Sequence, residues 1–344
     1  MTAGDKLRIG AKIAAARLRA TPRPFFVQYS LLNACNAHCG YCNCPNRENP
    51  QLSLEEHFRV LTEFARLGTV RVKFLGGEPL LHDDIDALIV ETRRLGMRAA
   101  MVTNGLLVPQ KFETVRKLDE LVISIDGSEA NHDRQRGKGT WKKVMTAIER
   151  CADAKLDFFL SAVVTRESHG DVDWLLDLAR RLGIMVNFQV PQFNEEMYGK
   201  GARSWMPAPE DIRHIVARIA AAKDAGAPVL FSSRSYRHTL EWRDFAVEYV
   251  ERPGEVSPCT AGRYFLQVEP NGDVYPCVLH VGRFAPKNAV RDGVEEAWFH
   301  AQHHSCFDCY NTWLNENRAI FDLSPSILAN FWRNYMRPRA TAGG

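Results

Sequence analysis

From Phe25 to Val190 the chain alternates between short, β-prone apolar runs and amphipathic helical stretches, and this alternation constrains the fold more than any other property of the sequence. Strands are expected at 25–31, 70–75, 98–103, 121–125, 157–164 and 184–190, with helices at 53–67, 83–95, 109–118, 140–154 and 172–182. The first of these helices opens on Ser53-Leu54-Glu55-Glu56, the spelling of a capping box, and stops at Gly68, where glycine can turn left-handed. Strands separated by helices of this length build βαβ units, whose strands lie parallel in one sheet. Six such units over residues 25–192 predict an α/β fold, a partial (β/α)6 TIM-like barrel.

In barrels of this kind the reactive groups sit beyond the carboxyl ends of the strands. Unusual residues follow each of the first four strands at that end. Cys35-Asn36-Ala37-His38-Cys39-Gly40-Tyr41-Cys42 follows the first, Gly76-Gly77-Glu78-Pro79 the second, Asn104-Gly105 the third and Asp126-Gly127 the fourth. Three thiols spaced by three and then two residues can converge on one inorganic core from a single loop. Thiolates are the usual ligands of iron-sulfur clusters, and three of them on a four-iron cluster leave one iron open. Structural zinc, a disulfide pair and chance clustering compete with that reading, although zinc usually takes four ligands. The two glycines permit a close backbone approach, and the acidic side chain beside them can accept a hydrogen bond from an ammonium group.

The cysteine triplet, with Tyr41 just before its last member, and the Gly-Gly-Glu-Pro turn one strand later together resemble the signature of the radical S-adenosylmethionine (radical SAM) enzymes. Thr103-Asn104-Gly105 and Ser124-Ile125-Asp126-Gly127 are similar to the third-strand and fourth-strand elements of that family. His132-Asp133-Arg134-Gln135-Arg136-Gly137 is similar to a segment found in members with additional clusters. The resemblance implies that Cys35, Cys39 and Cys42 hold a 4Fe-4S cluster whose open iron binds SAM. It further implies that Gly76, Gly77 and Glu78 contact the methionyl amino group, that Thr103 and Ser124 lie near the methionyl and ribose groups, and that Tyr41 lines the adenine site. Arg136 would meet a carboxylate or a helix end. Cys44 is expected to be a bystander, because a fourth thiolate would close the iron. Cys151 shares a helical face with Val144 and Ile148 and reads as core.

A second cysteine group lies late in the chain. Cys259 is followed by twelve residues and Gly272, then four residues and Cys277, and later Cys306-Phe307-Asp308-Cys309. Asn271-Gly272 is a hairpin turn, and folding the hairpin back brings Cys259 and Cys277 to one end. This pattern resembles the start of the auxiliary-cluster domains called SPASM. No cysteine follows Cys309, which matches the shortened form called twitch. The resemblance implies one auxiliary 4Fe-4S cluster on Cys259, Cys277, Cys306 and Cys309, with zinc as the competitor for four thiolates. His303 and His304, beside this group, are expected to be exposed.

A net charge of +3 on 344 residues gives no reason to expect a nucleic-acid partner. No apolar run approaches the roughly 18 residues of a membrane span, which favours a cytoplasmic location. In that compartment nine cysteines point to metal or catalytic use over a disulfide framework. The expected organisation is an N-terminal amphipathic helix at 1–24, the barrel at 25–192, a helical connecting region at 193–255 and the auxiliary-cluster domain at 256–344. Within the last two segments, helices are expected at 209–225, 236–249, 295–300 and 324–336. Leu7, Ile9, Ile13 and Leu18 among Lys and Arg make the first helix either a plug across the barrel bottom or a contact for a membrane surface or lipid-like substrate.

The resemblance also implies the chemistry. SAM is cleaved reductively to a 5'-deoxyadenosyl radical, which takes a hydrogen atom from the substrate. An external one-electron donor such as flavodoxin or ferredoxin feeds the reaction, and the auxiliary cluster accepts or relays electrons. About 24 residues precede the first strand, with no room for the leader-binding domain that peptide-modifying members often carry. The first expectation is therefore a small-molecule substrate: a sugar, aminocyclitol, nucleoside or lipid-like compound. Maturation of a ribosomally made peptide is the second reading, and a non-catalytic iron-sulfur or zinc module the third. No catalytic side chain is assigned, while Gln189, Glu195 and Tyr198 are candidate substrate contacts.

Overall fold

The computed structural model describes residues 3–18, 21–48, 50–192, 194–325 and 330. Its first half comprises α1 (Ala3–Leu18), β1 (Phe26–Ser30), α2 (Leu54–Leu67), β2 (Arg71–Leu75), α3 (Ile85–Arg94), β3 (Arg98–Thr103), α4 (Phe112–Val115), β4 (Glu120–Ser124), α5 (Glu129–Arg136), α6 (Thr140–Asp153), β5 (Phe158–Val163), α7 (Val172–Leu182) and β6 (Val186–Gln189). The second half comprises α8 (Glu195–Tyr198), α9 (Pro209–Asp224), α10 (Ser233–Leu240), β7 (Tyr249–Glu251), β8 (Phe265–Val268), β9 (Asp273–Tyr275), β10 (Lys287–Asn288), α11 (Val294–Ala301), β11 (Cys306–Cys309) and α12 (Thr312–Phe321).

Strands β1 to β6 pair in parallel in sequence order, the expected partial barrel. Local chemistry sets the boundaries. Ser53 and Glu56 close a reciprocal capping box on α2, and Gly68 ends that helix at φ 96°. The two faces of each strand differ sharply. In β2, Val72 and Phe74 turn outward into the helix layer with no exposure, while Arg71, Lys73 and Leu75 line the barrel interior.

Four expectations change. The helix over 109–118 shrinks to the single turn of α4, because the chain on either side closes in three-residue turns, Val108 N donating to the Gly105 carbonyl before it and Leu118 N to the Val115 carbonyl after it. The helix over 236–249 stops at Leu240, and its last residue begins β7. Trp242 and Phe245 mimic a helical period but are buried from a loop, where the Trp242 indole donates to the carbonyls of Asp244 and Val247. α5 has no apolar stripe to announce it, because it packs through the polar residues His132, Gln135 and Arg136. α12 was likewise unexpected, and the helix expected at 324–336 falls largely outside the described residues.

The late hairpin does not stand apart as a separate domain would. β8 and β9 pair antiparallel around Gly272, at φ 86°, and β8 also pairs in parallel with β1, Phe26 opposite Phe265. The barrel sheet thereby extends to nine strands in the order β10-β9-β8-β1-β2-β3-β4-β5-β6. α1 closes the barrel floor. Ile13 and Ala16 pack into a cluster containing Phe25, Tyr264, Leu314 and Phe321, in which the Tyr264 and Phe321 rings stack at 4.8 Å. These two apolar residues are buried within the protein, which favours the plug over the membrane-surface reading of this helix. Among the described residues, no helix is long and apolar enough to cross a membrane.

Candidate active site and metal centres

The loop after β1 carries the cysteine triplet, and the Gly-Gly-Glu-Pro turn after β2 is built against it. Gly77 N donates to the Leu32 carbonyl (2.7 Å) and Glu78 N to the Ala34 carbonyl (2.9 Å). A Cβ at Gly77 would meet Ala34 O at 2.1 Å and Asn33 O at 2.5 Å; at Gly76, where φ is 131°, it would meet Leu32 O at 2.3 Å. The glycines are therefore required by the backbone of the cysteine loop itself, whether or not a ligand is near. Gly77→Ala is expected to destabilise the metal-free protein by about 2–3 kcal/mol, because backbone rather than a mobile side chain must give way. Unaltered denaturation together with full iron uptake would refute this account.

Glu78 is fully buried and turned away from solvent. Its Oε1 accepts from Leu80 N (3.1 Å) and Thr103 Oγ1 (2.8 Å), and its Oε2 from Asn104 N (2.8 Å). Burial lifts its carboxyl to about 7 in spite of these donors. Glu78 and Thr103 thus lock the ends of β2 and β3 to each other. The part of this turn that faces the interior is Gly76.

Around the thiols the surroundings are those of a metal site. Asn104 Nδ2 lies 3.6 Å from Cys35 Sγ and Arg136 Nη1 4.0 Å from Cys39 Sγ. Burial raises Cys35 and pushes Cys39 up to about 12, the latter against the opposing charge of Arg136. Cys42 goes the other way, to about 6, because the Cys44 thiol donates a hydrogen bond to it. Cys44 is thus in contact with the triplet. Buried thiols that resist ionisation need a cation to become thiolates together, and a cluster iron supplies one.

Arg136, expected to meet a carboxylate or a helix end, meets a carboxylate of the protein itself. Its Nε and Nη2 donate to the Asp126 carboxylate at 2.6 and 3.0 Å. Tyr41 Oη also donates to Asp126 (2.6 Å), as does Val163 N (2.9 Å), and the guanidinium lies 5.7 Å from the Tyr41 ring centroid. The sequence offers Asp126 only as part of the fourth-strand element and its turn. Placed at the end of β4, it ties the cysteine loop, α5 and β5 together. Ser124, buried on the same strand, shares a face with Glu120 and Val122, which line the interior.

That interior is a cavity of about 900 Å3 running from Tyr41, Cys42 and Gly76 down to Ile13. Gln28, Ser161, Asn187, Gln189 and Gln267 give its wall amide and hydroxyl groups. Gln192 is buried with both amide atoms unpartnered, and Gln267 Oε1 is unpartnered too. Near the floor, Lys73 Nζ lies 3.2 Å and Arg71 Nη1 3.5 Å from the Glu120 carboxylate. Burial opposes the Glu120 charge, but Lys73 and Arg71 prevail and hold that carboxyl down at about 2. Of the three candidate substrate contacts, Gln189 and Tyr198 line the cavity, while Glu195 is exposed outside it. Lys73 and Glu120 went unnoticed in the sequence. Their available signal was charge at period two within β-prone runs, which an inward barrel face can hold.

The late thiols also converge. Cys259 precedes β8, Cys277 follows β9, and Cys306 and Cys309 bound β11, which pairs with β7. All four are buried, and each of the last three thiols is raised, Cys306 chiefly by donating to Cys259 and the other two chiefly by burial. Arg47, five residues past Cys42, donates to Glu269 on the hairpin at 2.6 Å, linking the two regions. Neither cysteine group brings three sulfurs within 4.8 Å of one another. A single zinc ion with bonds of about 2.3 Å would need closer spacing, whereas a four-iron cluster holds its thiolates further apart. Both groups therefore fit clusters better than zinc. The expectation for His304 fails: His303 is exposed, but His304 is buried, because β11 pairs with β7 beside it and its Nε2 lies 3.0 Å from the Ala261 carbonyl.

Comparison with known proteins agrees with this geometry. Residues 29–179 match the model of the radical SAM superfamily. The mycofactocin maturase MftC of Mycolicibacterium smegmatis is 26% identical over 299 residues, covering 83% of this chain and 72% of that protein. The PqqA peptide cyclase of Streptomyces rochei is 28% identical over 295 residues, covering 81% and 77%. Streptococcus suis SuiB bound to S-adenosylmethionine has the same fold, with a TM-score of 0.65 at 19% identity, covering 84% of this chain and 69% of SuiB. SAM and a four-iron cluster are the cofactors of this family, and the four late cysteines are compatible with an auxiliary cluster. Residues 29–179 form a radical SAM domain, and the chain as a whole is similar to enzymes of the SPASM/twitch maturase kind.

Proposed function

We propose that this enzyme is a maturase that removes a hydrogen atom from a ribosomally made peptide. The observation that carries the reading is the cavity: at about 900 Å3 it is at the upper end for a small-ligand site, and its buried amides, Gln192 above all, lack partners. A peptide backbone offers the complementary N–H and C=O groups. The relatives named maturase and peptide cyclase, each covering more than four-fifths of this chain, support the same choice. The small-molecule reading rested on the short segment before β1, and a leader-binding domain can be supplied by a separate protein.

In this proposal Cys35, Cys39 and Cys42 hold the SAM-binding cluster, and Cys259, Cys277, Cys306 and Cys309 the auxiliary one. When bound, cluster and SAM supply one-electron cleavage of a sulfonium bond and a radical able to remove hydrogen. The protein's own part is positional. Asn104 and Arg136 donate toward the Cys35 and Cys39 sulfurs and favour their thiolate forms. Asp126 keeps Arg136 and Tyr41 in place, Gly76 presents backbone to the interior, and α1 closes the floor against water. A one-electron donor such as flavodoxin or ferredoxin completes the system.

The test uses a short peptide encoded beside the gene for this chain. With anaerobically reconstituted enzyme, SAM and dithionite, its mass is expected to change as about one 5'-deoxyadenosine forms per modified peptide. Unchanged peptide, with consumption of a sugar or nucleoside made by neighbouring enzymes, would return the assignment to a small molecule.

A further inference from the structure

The pocket of the late cysteines contains more donors than a four-thiolate cluster needs. Among the described residues, His280, His304 and Cys306 form the one group whose ligand atoms all lie within 4.8 Å of one another. All three residues are more than nine-tenths buried. His280 Nε2 and His304 Nδ1 have no hydrogen-bond partner. His304 Nε2 faces the Ala261 carbonyl at 3.0 Å, and a carbonyl can only accept, so this nitrogen carries the proton and Nδ1 presents a lone pair. A carbonyl that takes the proton of one ring nitrogen and so fixes the tautomer and ring orientation is a regular feature of metal-binding histidines. A fourth donor comes from the same pocket, since Cys259 is buried there and its thiol interacts with that of Cys306.

We propose that His280 Nε2, His304 Nδ1, Cys306 Sγ and Cys259 Sγ form a site for one divalent ion of borderline softness, Zn2+ in the first instance, in competition with the auxiliary cluster. Two nitrogens and two sulfurs in a tetrahedron of about 2.0–2.3 Å bonds is an ordinary zinc donor set. His280, His304 and Cys306, within 4.8 Å of one another, close to about 3.3–3.8 Å between donors to meet those bonds, and Cys259 Sγ, which lies outside that group, moves in to complete the tetrahedron. The cluster and the ion share Cys259 and Cys306, so they exclude each other. Zinc in place keeps the pocket folded but leaves Cys277 and Cys309 without iron, and the identity of the resident metal decides whether the auxiliary cluster forms.

The test uses the full-length chain with Cys35, Cys39 and Cys42 replaced by Ala, reduced and freed of metal. Titration with Co2+ as an optical probe of Zn2+ is expected to show one tetrahedral cobalt per chain. Cys277→Ser and Cys309→Ser are expected to leave its affinity and spectrum unchanged, while His280→Gln or His304→Gln weakens binding at least tenfold. Indifference to both histidines, combined with loss on changing Cys277 or Cys309, would assign the ion to four sulfurs and overturn the proposal. X-ray absorption of the zinc-loaded protein with both histidines intact needs no further variant: two nitrogens and two sulfurs support the site, and four sulfurs or an unbound ion refute it.

Discussion

Cys42→Ala protein, reconstituted anaerobically with iron and sulfide, is expected to lose reductive SAM cleavage down to background. Its iron should fall from about eight to about four per chain, since one of two four-iron clusters is lost. Cys35→Ala and Cys39→Ala should behave alike. Cys44→Ala is the informative contrast. Cys44 is buried with Cys42 packed against it, and its thiol is the main cause that holds the Cys42 thiol down at about 6. Removing it should retain the iron and the cleavage activity while slowing cluster assembly, because Cys42 loses the bond that favours its thiolate. 5'-Deoxyadenosine formation and iron per chain, measured on all four variants, decide the matter. Loss of both with Cys44→Ala would make Cys44 a ligand and remove one of the other three from the set.

Asp126→Ala is expected to cost about 3–5 kcal/mol of stability, the usual result of leaving a buried charge without its partner. Arg136 would remain buried with two donors unsatisfied, Tyr41 would lose its acceptor, and Val163 N would be orphaned. The same residue predicts a pH dependence. Burial opposes its charge, but Arg136 prevails and holds the Asp126 carboxyl below its ordinary value of 3.8. A depressed carboxyl contributes stability that is complete above about pH 4 and is lost as pH falls through the folded-state value. Wild type should therefore lose stability in acid more steeply than Asp126→Ala, and the gap between them should narrow below about pH 4. Parallel acid-unfolding curves would show that the Asp126 charge has no such role.

What could be read without a structure was whatever chemistry fixes locally. Ser53 and Glu56 announce a helix start, Asn271-Gly272 a hairpin, and the spacing of Cys35, Cys39 and Cys42 a shared core, because each depends on neighbours a few residues away. α5 escaped because its contacts are polar, so hydrophobic periodicity carried no trace of it. Lys73 and Glu120 meet only once three strands are aligned, and a lone charge in a β-prone run resembles an exposed edge. His304 sits beside a cysteine pair in either reading. Its burial follows from β7 pairing with β11, which no local pattern specifies. The glycines of the second loop were legible as a place of close approach, yet the group approached is the chain's own backbone at Leu32 and Ala34. Substrate was least legible of all, since it depends on the inward faces of strands that are far apart in sequence.

The parallel pairing of β1 with β8 has a consequence for how this protein is made. Phe26 emerges early from the ribosome and Phe265 late, so one side of the first strand stays unpaired through most of synthesis. Closing so long a loop carries an entropic cost that delays the contact, and an open strand edge is a template for wrong partners. Nascent chains shorter than about 268 residues should therefore depend on chaperones and aggregate when released, even though the six barrel strands are complete well before that point. The cysteine loop hangs from that same first strand, so its final geometry waits for the end of translation. Cluster insertion is then expected only once β8 has paired with β1.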